Sequence, residues 1–177
     1  MSVVHAIVRT RRTKLELYPT ENPFPLFRDA PVGGAVLLIR VYYDDTDAGG
    51  VVYYGNYLKY FERARTDLIE ALGFSVKDYQ DEGIWFTVVH AEIDYRSPAT
   101  YNDTLGITTR VEEVKRVRFR VSHEVRRQAT GELLVTGATT LACVDSTMRP
   151  RALPTELADA LKARFVSQAA ISSDANH

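Results

Sequence analysis

The decisive stretch of this sequence is residues 41–57, which read VYYDDTDAGGVVYYGNY and run into a helical pattern that continues to Gly73. The stretch joins a β-type approach to an acidic, glycine-containing turn and then to a helix start. Asn56 is predicted to cap this helix, because its side chain can accept a hydrogen bond from an amide of the first turn. The first turn of a helix carries free N–H groups and partial positive charge, so it can polarise a carbonyl group. The carboxylate of Asp47 is the candidate acid beside it.

One long helix is predicted over residues 56–72, ending at Gly73 as the residue after the cap. Its apolar residues recur at helical spacing and form a stripe wide enough to indicate a largely enclosed helix. The stripe consists of Tyr57, Tyr60, Phe61, Ala64, Leu68, Ile69 and Leu72.

Strands are predicted on both sides of this helix in the chain. They cover residues 35–43, 86–96, 104–114, 117–127 and 132–144, with a hairpin turn at 128–131. Pro154 and Thr155 open a short helix that carries Leu157, Leu161 and Phe165. A run of strands after one buried helix indicates an α+β fold, in which an antiparallel sheet wraps around the helix.

Composition is that of an ordinary globular protein. The chain has 177 residues, 45% of them hydrophobic and 25% charged, with a formal net charge of −1. This balance gives no reason to expect nucleic acid as a partner, and no apolar run is long enough for a membrane span. A single cysteine, Cys143, excludes an internal disulfide and is expected to be a small core or interface residue. The first residues lack a secretory signal pattern, so we expect a cytoplasmic protein.

Three parts are predicted along the chain. Residues 1–35 contain four prolines and read as a flexible N-terminal extension. Residues 36–154 form the main domain, and residues 155–177 form a C-terminal helix and tail.

The residues alone leave several roles open. Asp47 is either a catalytic acid or a turn aspartate that caps its own backbone. Lys115, Arg116 and Arg118 form either a solvated turn or a clamp for phosphate groups. His123 is more typical of a hydrogen-bonded core histidine than of a metal ligand. No motif predicts a metal site, because the spacing from Asp45 lacks the bidentate glutamate of a calcium loop.

The sequence resembles the signature of the YbgC and 4-hydroxybenzoyl-CoA thioesterase group of acyl-CoA thioesterases in three segments, residues 40–54, 56–58 and 60–65. Residues 94–99, 103–105 and 148–154 are also similar to YbgC-type sequences. The resemblance covers about residues 36–154 and implies the hotdog fold, a curved antiparallel sheet around one long central helix. It also implies homodimers whose sheets join edge to edge, and often tetramers.

The resemblance implies roles for particular residues. Asp47 corresponds to the family's catalytic carboxylate, and a backbone N–H near Tyr54 to the group that polarises the thioester carbonyl. Lys115, Arg116 and Arg118 correspond to the residues that meet the CoA phosphates. Where YbgC-type proteins commonly have histidine, this chain has Tyr54, as does the 4-hydroxybenzoyl-CoA branch.

The sequence therefore predicts an acyl-CoA thioesterase that uses no cofactor, with Asp47 as nucleophile or general base. The alternative is a non-hydrolytic module that binds acyl-CoA or an acyl carrier protein. A hotdog dehydratase is less favoured, since its motif is missing. The expected partners are acyl-CoA and a second copy of the chain. The expected contact between copies involves residues 132–144 and Tyr53, Tyr54 and Tyr57.

Overall fold

The computed structural model describes residues 35–174, and the side chains of residues 36–165. Nearly all of the predicted extension, residues 1–34, lies outside the described residues. The elements are the strands β1 (Ala35–Arg40), β2 (Trp85–Tyr95), β3 (Thr104–Val114), β4 (Arg118–Arg127) and β5 (Leu133–Val144), and the helices α1 (Asn56–Ala71), α2 (Val76–Asp81) and α3 (Thr155–Asp174). Among the described residues, no helix is long and apolar enough to cross a membrane.

The five strands form one sheet in the order β1-β3-β4-β5-β2, and every neighbouring pair is antiparallel. Alternation of apolar and polar residues makes one face of each strand fit a core. In β4, for example, the buried residues are Phe119, Val121, His123 and Val125, whereas the residues that alternate with them are not buried. The apolar stripe of α1 packs on this face, so the prediction of an α+β fold with an antiparallel sheet around one long helix is confirmed.

The ends of α1 explain one correct and one wrong prediction. At its end, Gly73 has φ +90°, and the N–H groups of Gly73 and Phe74 donate to the carbonyls of Glu70 and Ile69. This is the Schellman motif, which favours glycine. At its start, the cap is Gly55 rather than Asn56, because Asn56 is already helical and its amide donates to the Asp45 carbonyl.

Other differences from the sequence prediction have local causes. The first strand ends at Arg40 rather than Tyr43, because the chain bends into a 3-10 turn at Tyr43–Asp45. The short helix α2, capped by Ser75, was not predicted. The predicted short helix after Pro154 is the 20-residue α3. Its Leu157 and Leu161 are buried, whereas Phe165 is exposed.

The middle of α1 packs closely on the sheet. Phe61 stacks on the ring of His123 in β4, with ring centroids 4.4 Å apart and planes inclined by 6°. A Cβ atom on Gly137 of β5 would come within 2.6 Å of both Phe61 and the Glu92 carbonyl oxygen. Gly137 is therefore required by the close approach of helix and sheet.

His123 is a core histidine, as predicted. Its exposed fraction is 1%, and its Nδ1 and Nε2 atoms lie 3.0 and 3.4 Å from the hydroxyls of Thr109 and Thr139. Burial, together with the charge of Arg65, lowers the pKa of His123 to about 3. The ring is therefore neutral in the folded protein at any ordinary pH.

We expect this neutral histidine to destabilise the protein in mild acid. Below pH 6.5 the His123 ring binds a proton in the unfolded chain, whereas in the folded protein it stays neutral until about pH 3. The free energy of unfolding therefore falls as the pH falls. Between pH 6.5 and 4.5 the free energy of unfolding should drop by about 2 kcal/mol from this group alone. Urea denaturation at fixed protein concentration should show that His123→Gln removes this part of the pH dependence. The control His90→Gln changes an exposed ring, and an equal effect of both variants would contradict the assignment.

Candidate active site

The loop before α1 holds Asp47 in a tight turn. The Gly49 N–H donates to Asp47 Oδ1 at 2.8 Å, and the Gly50 N–H donates to the Asp47 carbonyl at 2.9 Å. Gly50 adopts φ +74°, a conformation that suits glycine. Asp47 therefore does cap its own turn, as one of the two sequence hypotheses had it. Its side chain is nevertheless exposed and borders a pocket, so the cap does not exclude a chemical role.

Asp45 connects this loop to the helix start. Its carbonyl accepts hydrogen bonds from the Tyr53 N–H at 2.9 Å and from the side-chain amide of Asn56 at 2.8 Å. Its carboxylate accepts one from the Tyr42 N–H. Asn56 is only 6% exposed. Its burial against the loop explains why asparagine occupies this position although it is not the cap.

The pocket has a volume of about 310 Å³ and lies between the loop, the helix start and the end of β2. Its walls include Asp47, Tyr54, Tyr57, Tyr95, Arg96 and Pro98. The structure thus brings together Asp47 and Tyr54, the two residues that the resemblance placed in the reaction. Tyr95, Arg96 and Pro98 were missed as site residues, although the segment 94–99 had been noted for its similarity.

Tyr54 is held from the opposite wall. The hydroxyl of Tyr95 donates to the Tyr54 carbonyl at 3.1 Å, and the Tyr95 ring packs edge-on against Tyr57. The Tyr53 carbonyl accepts a hydrogen bond from the Asn56 N–H at 2.9 Å. Within residues 35–174, no acceptor is found for the N–H groups of Tyr54 and Gly55. These are the free donors that a helix start is expected to offer.

Arg127 fixes the wall that carries Pro98. Its guanidinium forms an ion pair with Asp103 and donates to the Pro98 carbonyl at 2.9 Å. Burial opposes the charged form of Asp103, but hydrogen bonds from Thr100 and Arg127 outweigh it and lower the pKa of this carboxyl group. The 97–103 loop is therefore pinned by a charged pair that stays ionised at neutral pH.

The predicted phosphate clamp lies far from this pocket within one protomer. Lys115 and Arg116 form the turn after β3, and Arg118 begins β4. The loop with Asp47 adjoins the opposite end of β3, where the Val41 N–H bonds to the Asp103 carbonyl. The length of β3 separates the two groups by about 30 Å. All three cations are exposed, and Lys115 pairs with Glu113 at 2.6 Å.

Within the described part of the chain, no group of three or more His, Cys, Asp or Glu side chains is arranged to hold a metal ion.

A family model described as the thioesterase-like superfamily matches residues 41–165, which include the loop, the pocket and the whole sheet after β1. The chain belongs to this superfamily. Its fold is the α+β hotdog fold that the resemblance implied. The match covers the pocket walls as well as the core.

Individual thioesterases are similar over most of their length. The acyl-CoA thioesterase YbgC of Haemophilus influenzae is 40% identical over 122 residues, which are 67% of this chain and 88% of that protein. The acyl-CoA thioester hydrolase YbgC of an Escherichia coli strain is 37% identical over 66% of this chain and 87% of its own. The crystal structure of a DHNA-CoA thioesterase from Staphylococcus aureus superposes with a TM-score of 0.70 at 31% identity, covering 80% of this chain and 95% of that one.

Proposed function

We propose that this protein is an acyl-CoA thioesterase that hydrolyses a thioester to a carboxylic acid and free CoA beside Asp47. The observation that supports the proposal is that Asp47 and Tyr54, whose N–H group has no acceptor among the described residues, both line one largely apolar pocket. The named thioesterases among its relatives support the same reaction.

Two routes convert the same reactants, a thioester and water, to the same products, a carboxylic acid and a thiol. In one, the Asp47 carboxylate attacks the thioester carbonyl, the carbon–sulfur bond breaks, and water hydrolyses the resulting anhydride. In the other, Asp47 removes a proton from a water molecule as its oxygen bonds to the thioester carbonyl carbon, and the carbon–sulfur bond then breaks. In both, the leaving thiolate takes up a proton and the N–H donors near Tyr54 stabilise the negative charge on the carbonyl oxygen. Neither route calls for a metal ion or an organic cofactor.

A panel of acyl-CoAs tests the proposal directly. Release of free thiol, followed with a thiol reagent, should continue over many turnovers with at least one acyl group. The competing hypothesis is a module that binds acyl-CoA or an acyl carrier protein without hydrolysis. Binding without thiol release across aliphatic and aromatic acyl groups would favour that module and overturn the enzyme.

The proposal includes a homodimer built through β2. This strand pairs with β5 on one side and, among the described residues, with no strand on the other. It exposes Trp85, Val88, Val89 and Tyr95, and an unpaired apolar edge of this length favours pairing with a second copy. Residues 133–144 cannot supply that edge, because β5 is hydrogen-bonded on both sides, and Tyr57 is buried within its own protomer. Of the expected contact, β5 is thus excluded as the pairing edge and Tyr57 has little exposed surface, and we propose that β2 supplies the edge.

A two-fold dimer would also bring the separated groups together. Antiparallel pairing of β2 with its copy places the Trp85 end of one protomer beside the Tyr95 end of the other. The turn with Lys115 and Arg116 lies at the Trp85 end of the sheet, since Trp85 pairs with Val144 and Ala142 pairs with Arg118. The partner's basic turn then lies on the side of this protomer's pocket, where it can meet the phosphates of a bound CoA. We also propose that two such dimers form a tetramer and that the protein is cytoplasmic.

We expect the double variant Lys115→Ala with Arg116→Ala to raise KM for acyl-CoA about tenfold while kcat changes little. The two cations would hold phosphates remote from the reacting carbonyl, so they contribute equally to the ground state and the transition state. Steady-state kinetics with acyl-CoA and with an acyl-cysteamine, which lacks the nucleotide, provides the measurement and its control. The same defect on both substrates would argue against a phosphate clamp.

A further inference from the structure

Among the described residues, the hydroxyl of Tyr95 makes the one side-chain hydrogen bond to the backbone of residues 53–55. Tyr95 is the last residue of β2 and lines the pocket together with Tyr54 and Asp47. Tyr95 and Tyr54, whose carbonyl accepts the bond, are 41 positions apart in the chain. The bond therefore joins the edge strand to the peptide segment immediately before α1.

Two consecutive peptide groups in this segment are held by their carbonyls. The Tyr53 carbonyl is bound by the Asn56 N–H, and the Tyr54 carbonyl is bound by the Tyr95 hydroxyl. Both peptides are trans, so the N–H of each points away from its carbonyl. Fixing the carbonyls thus fixes the directions of the N–H groups of Tyr54 and Gly55, which have no acceptor among the described residues.

We propose that Tyr95 is a positioning residue for the thioesterase reaction. It fixes the direction of the Tyr54 and Gly55 N–H groups, which would stabilise the negative charge that develops on the thioester oxygen. The inference rests on the proposed function. Tyr95 acts through the Tyr54–Gly55 peptide and holds no proton of the reaction itself. Its ring also contacts Tyr57, with centroids 5.8 Å apart, which keeps the hydroxyl aimed at the carbonyl.

The bond is suited to this role rather than to holding the fold. Within one protomer Tyr95 is 52% exposed, so its hydroxyl makes a single, partly solvated hydrogen bond whose loss should cost the fold little. An N–H donor that stabilises a transition state must already point at the carbonyl oxygen before the reaction begins. A small error in its direction therefore lowers kcat. The loss of the hydroxyl should therefore affect the rate far more than the melting temperature.

The test is Tyr95→Phe, which removes the hydroxyl and keeps the ring. We expect kcat to fall about tenfold, which is less than the loss of an oxyanion donor itself because the donor is only misdirected. KM should stay within about twofold, and the fall in kcat should be the same for short aliphatic and for aromatic acyl-CoAs. The melting temperature and the mass by light scattering should match those of the wild type. Tyr101→Phe is the matched control, since this exposed tyrosine does not line the pocket.

An unchanged kcat in Tyr95→Phe would overturn the positioning role while leaving the proposed function intact. So would a defect that lies in KM and varies with the acyl group, because Tyr95 would then be a contact for the acyl chain. Failure of the proposed function looks different, since the wild-type protein itself would release no thiol from any acyl-CoA in the panel.

Discussion

Asp47→Asn should lower kcat by about three orders of magnitude or more, with the fold and the binding of CoA nearly unchanged. An amide can serve neither as nucleophile nor as base, so both proposed routes lose their reacting group. The turn should survive, because the asparagine carbonyl can still accept the hydrogen bond that the Gly49 N–H now gives to Asp47 Oδ1. Thiol release measures kcat, and calorimetric titration with free CoA measures binding.

Asp44→Asn is the matched control for this experiment. Asp44 is an exposed carboxylate in the same loop that does not border the pocket of Asp47. It should keep wild-type kinetics. If Asp47→Asn kept most of its activity, or if both variants lost the same amount, the assignment of Asp47 would be wrong.

Val89→Lys should separate the protomers and reduce kcat/KM by about 100-fold. Val89 is 57% exposed and lies at an irregularity of β2, between Val88 and His90, where the register with β5 shifts. Two-fold pairing of this edge would bring two added lysines close together, and charged residues on an edge strand oppose pairing. A site that needs both protomers loses its correctly placed groups, and small misplacements alone can cost a factor of about 100. Light scattering and thiol release should be recorded at the same protein concentration.

Leu38→Lys makes the same change on the opposite edge of the sheet. Leu38 is an exposed residue of β1, which pairs only with β3 among the described strands. This variant should keep the dimer and its activity. A wild-type protein that is monomeric and active at assay concentration would refute the proposed assembly. A dimer that Leu38→Lys separates and Val89→Lys does not would place the contact on β1 instead.

The elements with strong periodicity could be predicted from the sequence. α1 and β3 were located within a residue at each end, because α1 has a wide apolar stripe ended by Gly73 and β3 alternates between apolar and polar residues. Weakly patterned segments were harder to predict. α2 is only six residues long and has no buried residue, so it leaves no periodic signal. The length of α3 was underestimated, because the prediction used only Leu157, Leu161 and Phe165, whereas the helix continues to Asp174.

Only the part of the candidate site that is local in the sequence could be predicted. Asp47 and Tyr54 lie seven residues apart in one recognisable motif, so local sequence was enough to pair them. Tyr95 reaches the same pocket only through the fold, because β2 is brought beside α1 by its pairing with β5. The role of Asn56 was misjudged since its partner, the Asp45 carbonyl, is a backbone group eleven residues earlier that no side-chain pattern reveals.

The close contact of Phe61, His123 and Gly137 bears on how this scaffold can be altered. Phe61 lies five residues after the helix start, about 7.5 Å along the axis, so the helix is anchored one and a half turns behind the pocket. The pocket walls contributed by Val51, Tyr54 and Pro98 belong to loops that are not part of this anchor. On the proposed function, substitutions at Val51 and Pro98 should change the acyl preference, whereas a substitution at Gly137 would displace Phe61 and with it the helix that carries the proposed donors.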